Sequence, residues 1–134
     1  ILNIAAMGDA VVTAVADTDA GSRAKALELC DAKAFTDHRP LLDSGLCDAV
    51  VIATPNFTHI EQMRDALATD LHILVEKPLV TKVEDGVEMI ERAKGRKGIV
   101  WVAQEYRYMP PVAELIRLTH AGEAGRVKQV SIRE

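Results

Sequence analysis

Four short apolar runs constrain this chain more than any other feature: VVTAVA at residues 11–16, AVVIA at 49–53, LHILV at 71–75 and IVWVA at 99–103. Rich in β-branched residues and with little polar alternation, they read as strands covered on both faces. Between them the apolar period lengthens. Ile60, Met63 and Leu67, then Val83, Val87 and Ile90, then Val112, Leu115, Ile116 and Thr119 recur at steps of three and four, which predicts amphipathic helices packed on a sheet. Thr58 with Glu61 and Thr81 with Glu84 have the spacing of a capping box at two helix starts. Residues 22–30 predict a further helix, 34–36 a short strand and 40–44 a helical turn.

Strands alternating with helices at this spacing predict βαβ units, hence an α/β fold with a doubly wound, mostly parallel sheet and right-handed crossovers. Residues 127–133 break the pattern. There VKQVSIR alternates apolar and polar, as a half-exposed strand does, so residues 125–134 are expected to open a second α/β domain after a first of residues 1–124.

The chain of 134 residues carries 16 Lys and Arg against 20 Asp and Glu, a net charge of -4, with 49% hydrophobic residues. That composition buries a core, so disorder is excluded, and no apolar run approaches the roughly 18 residues of a membrane span. No basic stripe is present to neutralise phosphates, so nucleic acid and membrane surfaces are not expected partners. Cys30 and Cys47 form no CxxC and have no nearby His of zinc-site spacing, so no metal is expected and both read as reduced thiols. The absence of a signal-like start predicts a cytoplasmic protein. Opening at Ile1 in mid-pattern, the chain is expected to be a fragment.

Ligands of an open parallel sheet bind beyond the carboxyl ends of its strands. Polar residues fill those positions: Asp17, then Thr54-Pro55-Asn56, then Glu76-Lys77-Pro78, then Gln104 to Tyr108. An acid after the second strand of a dinucleotide fold accepts hydrogen bonds from the adenosine ribose, and it lies roughly 20 residues after a GxGxxG loop. Counting back from Asp17 puts that loop at or before Ile1, so the sheet is expected to be truncated at its first strand. A helix cap or turn carboxylate would look the same. With a dinucleotide bound, Asp17 would repel a 2′-phosphate and favour NAD over NADP, an effect that Arg23 moderates. His59, in the first turn of a helix, suits a structural role as well as a functional one. Lys77, directly after a strand, can hold an alkoxide-like or carbonyl oxygen and stabilise negative charge on it. Partial burial is expected there, with Glu76 orienting the lysine by an ion pair and Pro78 stiffening the turn through a cis bond. A surface salt bridge beside a loop proline is the plainer alternative.

DAVVIATPNFTHIEQMRDAL (48–67), HILVEKPLVT (72–81) and VAQEYRYMPPVAELIRL (102–118), in this order and spacing, closely resemble the nucleotide-binding domain of the Gfo/Idh/MocA oxidoreductases. The resemblance covers nearly the whole chain, and its most specific element is Glu76-Lys77-Pro78 preceded by Thr54 to His59. It implies a Rossmann-type fold and hydride transfer between a nicotinamide cofactor and a hydroxyl carbon of a sugar, polyol or related small molecule, in a homo-oligomer formed through the second domain. It also implies that Asp17 binds the adenosine ribose, that Thr54, Asn56 and His59 line the cofactor path, and that Glu76 and Lys77 approach the nicotinamide ribose. Lys77 would also touch the reacting oxygen as the catalytic residue. Arg107 and Tyr108 would face the substrate, with Tyr106 and Gln104 nearby. The glycine loop and the second-domain proton relay of the family are not in the sequence. A non-catalytic dinucleotide-binding sensor or scaffold, and a Rossmann dehydrogenase of another family, are the alternatives.

Overall fold

A computed structural model describes residues 1–131. Contacts divide the chain into two units, Ile1–Val102 and Ala103–Glu134. In the first, helix α1 (Leu2–Ala5) is followed by β1 (Ala14–Ala16), α2 (Ala20–Leu29), β2 (Lys33–Phe35), α3 (His38–Leu42), β3 (Ala49–Ile52), α4 (His59–Leu67), β4 (His72–Glu76), α5 (Val83–Ala93) and β5 (Val100–Ala103), whose last residue falls in the second unit. The second unit continues with a 3₁₀ turn (Glu105–Tyr108) and α6 (Pro110–His120). Every predicted strand from 11 to 103 is present, with its ends moved: β1, β3 and β5 are shorter than expected, and β2 and β4 are shifted by one residue.

The β1–β2 and β3–β4 ladders are both parallel. β1 pairs with β2 through Ala14–Lys33 to Ala16–Phe35, and β3 pairs with β4 through Ala49–His72 to Ile52–Val75. β5 adjoins β4, where the Ile73 N–H donates to the Ile99 carbonyl at 2.8 Å. Gly98 allows that approach, because a Cβ there would collide with the carbonyls of Leu71 and Asp70. The doubly wound order puts a first strand between β1 and β3. No described strand fills that place, and the two ladders stay separate.

The core lies on one face of β3 and β4. Val50, Ile52, Ile73 and Val75 point into it and meet Met63, Ala66 and Leu67 of α4 and Met89 of α5. Expected to be covered on both faces, these strands instead alternate, leaving Val51 and Leu74 exposed on the other side. Arg96 closes the bottom of this layer by donating to the carbonyls of Leu71 and Thr69 at the end of α4, where a cation suits the helix's negative pole.

Three further expectations are corrected. In α5, Val83, Val87 and Ile90 do not face the core; Val83 is 78% exposed and Met89 is buried instead. The helix carries two candidate stripes, and the one with small Gly86 and Ala93 can come closer to its neighbours, as the 3.4 Å between a Cβ at Gly86 and Val80 indicates. On α6, Val112, Ile116 and Thr119 are half-buried and Leu115 is exposed. Residues 127–131 form no strand, since a strand exists only beside a hydrogen-bonded neighbour; residues 132–134 of that expected strand lie outside the described residues. Among the described residues no helix is long and apolar enough to cross a membrane.

Candidate functional site

Lys77 stands directly beyond β4, whose Val75 is completely buried, so the tip is rooted in the best-packed part of the sheet. The expected ion pair with Glu76 is not made. One Glu76 oxygen accepts the backbone N–H of Lys77 at 3.1 Å, because the carboxylate reaches its neighbour's amide more easily than an ammonium four carbons out. Lys77 is exposed rather than partly buried, and the Lys77–Pro78 bond is cis. Leu79 and Val80, next in the chain, pack back against the core and end the turn.

Parallel pairing brings the end of β3 to the same edge. Beyond Ile52 the chain turns through Thr54 and Pro55 into a 3₁₀ turn, Asn56–Thr58, that leads into α4. Thr58 is the N-cap of α4 but makes no capping bond; its hydroxyl lies 2.9 Å from the Thr54 hydroxyl and 2.8 Å from the Pro55 carbonyl. Glu61, the other half of the expected capping box, pairs with Arg39. The box at Thr81 also fails, since the cap falls on Lys82 without a side-chain bond. The Thr54 hydroxyl donates to Gln62 at 2.6 Å, a partner that was not expected. No helical spacing signals it, since the two residues lie eight apart across the turn. Asn56 is exposed at the start of the 3₁₀ turn. His59 is 1% exposed, with Nδ1 2.9 Å from the Pro78 carbonyl oxygen and Nε2 2.9 Å from that of Thr54.

At β1 the strand ends with the Asp17 N–H donating to Phe35, and the exposed Asp17 carboxylate accepts the N–H of Asp19 at 2.8 Å. Asp19 caps α2 by accepting the Ser22 N–H, a bond that holds its carboxyl below the usual carboxylate range. Arg23 donates to the carbonyls of Asp17 and Thr18 at 2.8 and 3.1 Å, so its charge sits beside the strand tip on backbone rather than on the carboxylate.

In the second unit Arg107 and Tyr108 lie, with Tyr106, on the exposed 3₁₀ turn that Gln104 precedes, directly after β5. Among the described residues no three His, Cys, Asp or Glu side chains are grouped to hold a metal, and both cysteines are free.

Residues 2–104 match the Gfo/Idh/MocA family, described as an oxidoreductase family with an NAD-binding Rossmann fold. The chain is 40% identical over 93 residues to an inositol 2-dehydrogenase of Pseudarthrobacter chlorophenolicus, covering 67% of this chain and 28% of that protein. It is 34% identical over 89 residues to a scyllo-inositol 2-dehydrogenase (NADP(+)) of Bacillus subtilis, covering 66% of this chain and 27% of that one. It superimposes on the WlbA dehydrogenase of Bordetella pertussis, solved with NADH and UDP-GlcNAcA, with a TM-score of 0.86 and 28% identity, over 94% of this chain and 37% of that one. The chain thus spans about a third of the length of the proteins it matches. The order of its strands, the polar tips at their ends and these likenesses agree: the chain belongs to the Gfo/Idh/MocA oxidoreductases.

Proposed function

We propose that this chain is the cofactor-binding part of a nicotinamide-dependent dehydrogenase acting on a hydroxyl carbon of a sugar, polyol or related compound. The observation that carries the reading is Lys77: an exposed ammonium at the carboxyl end of a parallel strand, beside a second tip bearing Thr54 and Asn56. A nicotinamide dinucleotide fits these residues, because the Asp17 carboxylate is open to ribose hydroxyls and its anchoring bond to Asp19 holds it in place.

When bound, the dinucleotide supplies the centre that exchanges hydride with the substrate. Asp17 accepts hydrogen bonds from the adenosine ribose, while Thr54 and Asn56 belong to the wall of the cofactor path, with the buried His59 behind them rather than on the path itself, and Glu76 belongs to its nicotinamide end. Lys77 holds the reacting oxygen and stabilises the negative charge that develops on it, which makes it the catalytic residue. Arg107 and Tyr108 orient the substrate. The carboxylate of Asp17 favours NAD, with Arg23 beside it softening the discrimination. The same reading places the start of the second, oligomer-forming domain at residues 124–125, where the positive φ of Gly122 and Gly125 turns the chain after α6. It also places the protein in the cytoplasm, where free thiols such as Cys30 and Cys47 persist.

In the whole protein, Lys77→Ala is expected to lower turnover of a sugar or polyol by about 100-fold or more while NADH binding stays within a few-fold. Steady-state kinetics with a fluorescence titration of NADH measures both. Unchanged turnover would reject the assignment.

A further inference from the structure

The β3–β4 register ends at the Ile52–Val75 pair, so the backbones of Thr54 and of Lys77 leave the sheet with no ladder between them. His59 joins the two segments. Its ring is buried, and its two nitrogens face two backbone carbonyls, Thr54 on one side and Pro78 on the other, each at 2.9 Å. Both oxygens are acceptors, so each bond must be donated by the ring; a neutral imidazole serves one of them and a protonated imidazole both. The ring is also rooted in a stiff element, because Met63, Ala66 and Leu67 of the same helix are in the core.

We infer that His59 is a positioning residue: its buried ring ties the Thr54 turn to the Lys77–Pro78 turn and so sets where Lys77 stands relative to Thr54 and Asn56. For its kinetic consequence the inference rests on the hydride-transfer reading above; for its structural consequence it rests on geometry alone. A ring that bridges two carbonyls from beneath the turns acts on the reaction through Lys77, without touching the cofactor. It also explains why two short turns with little regular structure can hold a defined relation at the edge of the sheet.

The test has two arms, both on the whole protein. In the first, hydrogen exchange read by mass spectrometry without ligand compares wild type with His59→Phe and His59→Gln. Phe fills the space without donors, whereas the Gln amide carries two hydrogens. The expected result is faster exchange in residues 54–58 and 76–80 of His59→Phe, unchanged exchange in β3 and β4, and partial restoration in His59→Gln. Acceleration spread evenly over both strands, or none at all, overturns the inference. Should His59→Phe not fold, His59→Asn replaces it, since its shorter amide cannot span both carbonyls.

In the second arm, His59→Phe is expected to lower kcat by about 10- to 100-fold, as misplacement of a catalytic group does, with NADH affinity and the KM of the alcohol within a few-fold. His59→Gln recovers part of kcat. Weakened NADH binding with kcat intact would instead make His59 a direct cofactor contact and overturn the inference. If wild type itself oxidises no sugar or polyol, the dehydrogenase reading fails, and the exchange arm still decides whether the tie exists.

Discussion

The two ends of the proposed dinucleotide site are built differently. The Lys77 end rises from β3, β4, α4 and α5, which hold the buried apolar side chains among the described residues: Met63 and Val75 are completely buried, and Val50, Ile52, Ala66, Leu67, Ile73 and Met89 nearly so. The Asp17 end rises from β1, α2 and β2, in which no residue is buried. One end is fixed by packing of apolar side chains, the other by short polar bonds among Asp17, Asp19, Ser22 and Arg23. The difference suits the chemistry assigned to each. A group that stabilises charge in a transition state must be held to a fraction of an ångström, whereas a carboxylate that accepts ribose hydroxyls tolerates more motion.

Removing packing from each end breaks or sharpens this contrast most directly. Met63→Ala is expected to destabilise the protein by about 2–5 kcal/mol in urea denaturation, since it opens a cavity between α4 and the sheet. Val15→Ala in half-buried β1 is expected to cost roughly 1 kcal/mol or less. Equal losses would show that the two ends share one core. Asp17→Ala leaves packing alone and acts on binding: NADH affinity falls by about tenfold, the size of a bond to a charged acceptor, and the preference for NADH over NADPH narrows. An unaltered NADH-to-NADPH ratio would remove Asp17 from the ribose site.

The smallest expected effect concerns the clip between α4 and α5. Glu88 bonds Arg64 at 2.6 and 3.0 Å and Arg92 at 2.7 Å, which pulls its pKa down to about 2, Arg64 being the main cause. A folded-state value below the unfolded one means that the clip stabilises above the usual glutamate pKa and that its contribution disappears as the pH falls toward 2. Urea midpoints of wild type and Glu88→Gln should therefore differ at neutral pH and converge in acid. A difference that persists at pH 2 would assign the effect to packing instead.

Much of this architecture was legible in the residues. The apolar runs located β1, β3, β4 and β5, because β-branched apolar residues favour a pleated strand even where only one face is covered, and the polar residues after each run marked the strand tips. Periodicity was weaker at choosing between faces. It gave α5 the stripe of Val83, Val87 and Ile90, although Gly86, Met89 and Ala93 are equally well spaced and pack more closely. Local pairing rules failed where another partner competed: one close in sequence for Thr58, which turned to Thr54 and Pro55, and for Glu76, which took the amide of Lys77, and one distant in sequence for Glu61, which paired with Arg39. The two bonds of His59 were not legible either. They span residues 54 to 78, and only the parallel register of β3 and β4 brings those carbonyls to one ring.

The whole account turns on one ligand reaching both ends, and a crystal structure of the whole protein with NADH tests that most directly. The account predicts the adenosine ribose hydroxyls within hydrogen-bond distance of the Asp17 carboxylate and the nicotinamide ribose beside Glu76 and Lys77. A dinucleotide that runs the other way, or that leaves either Asp17 or Lys77 untouched, would contradict it.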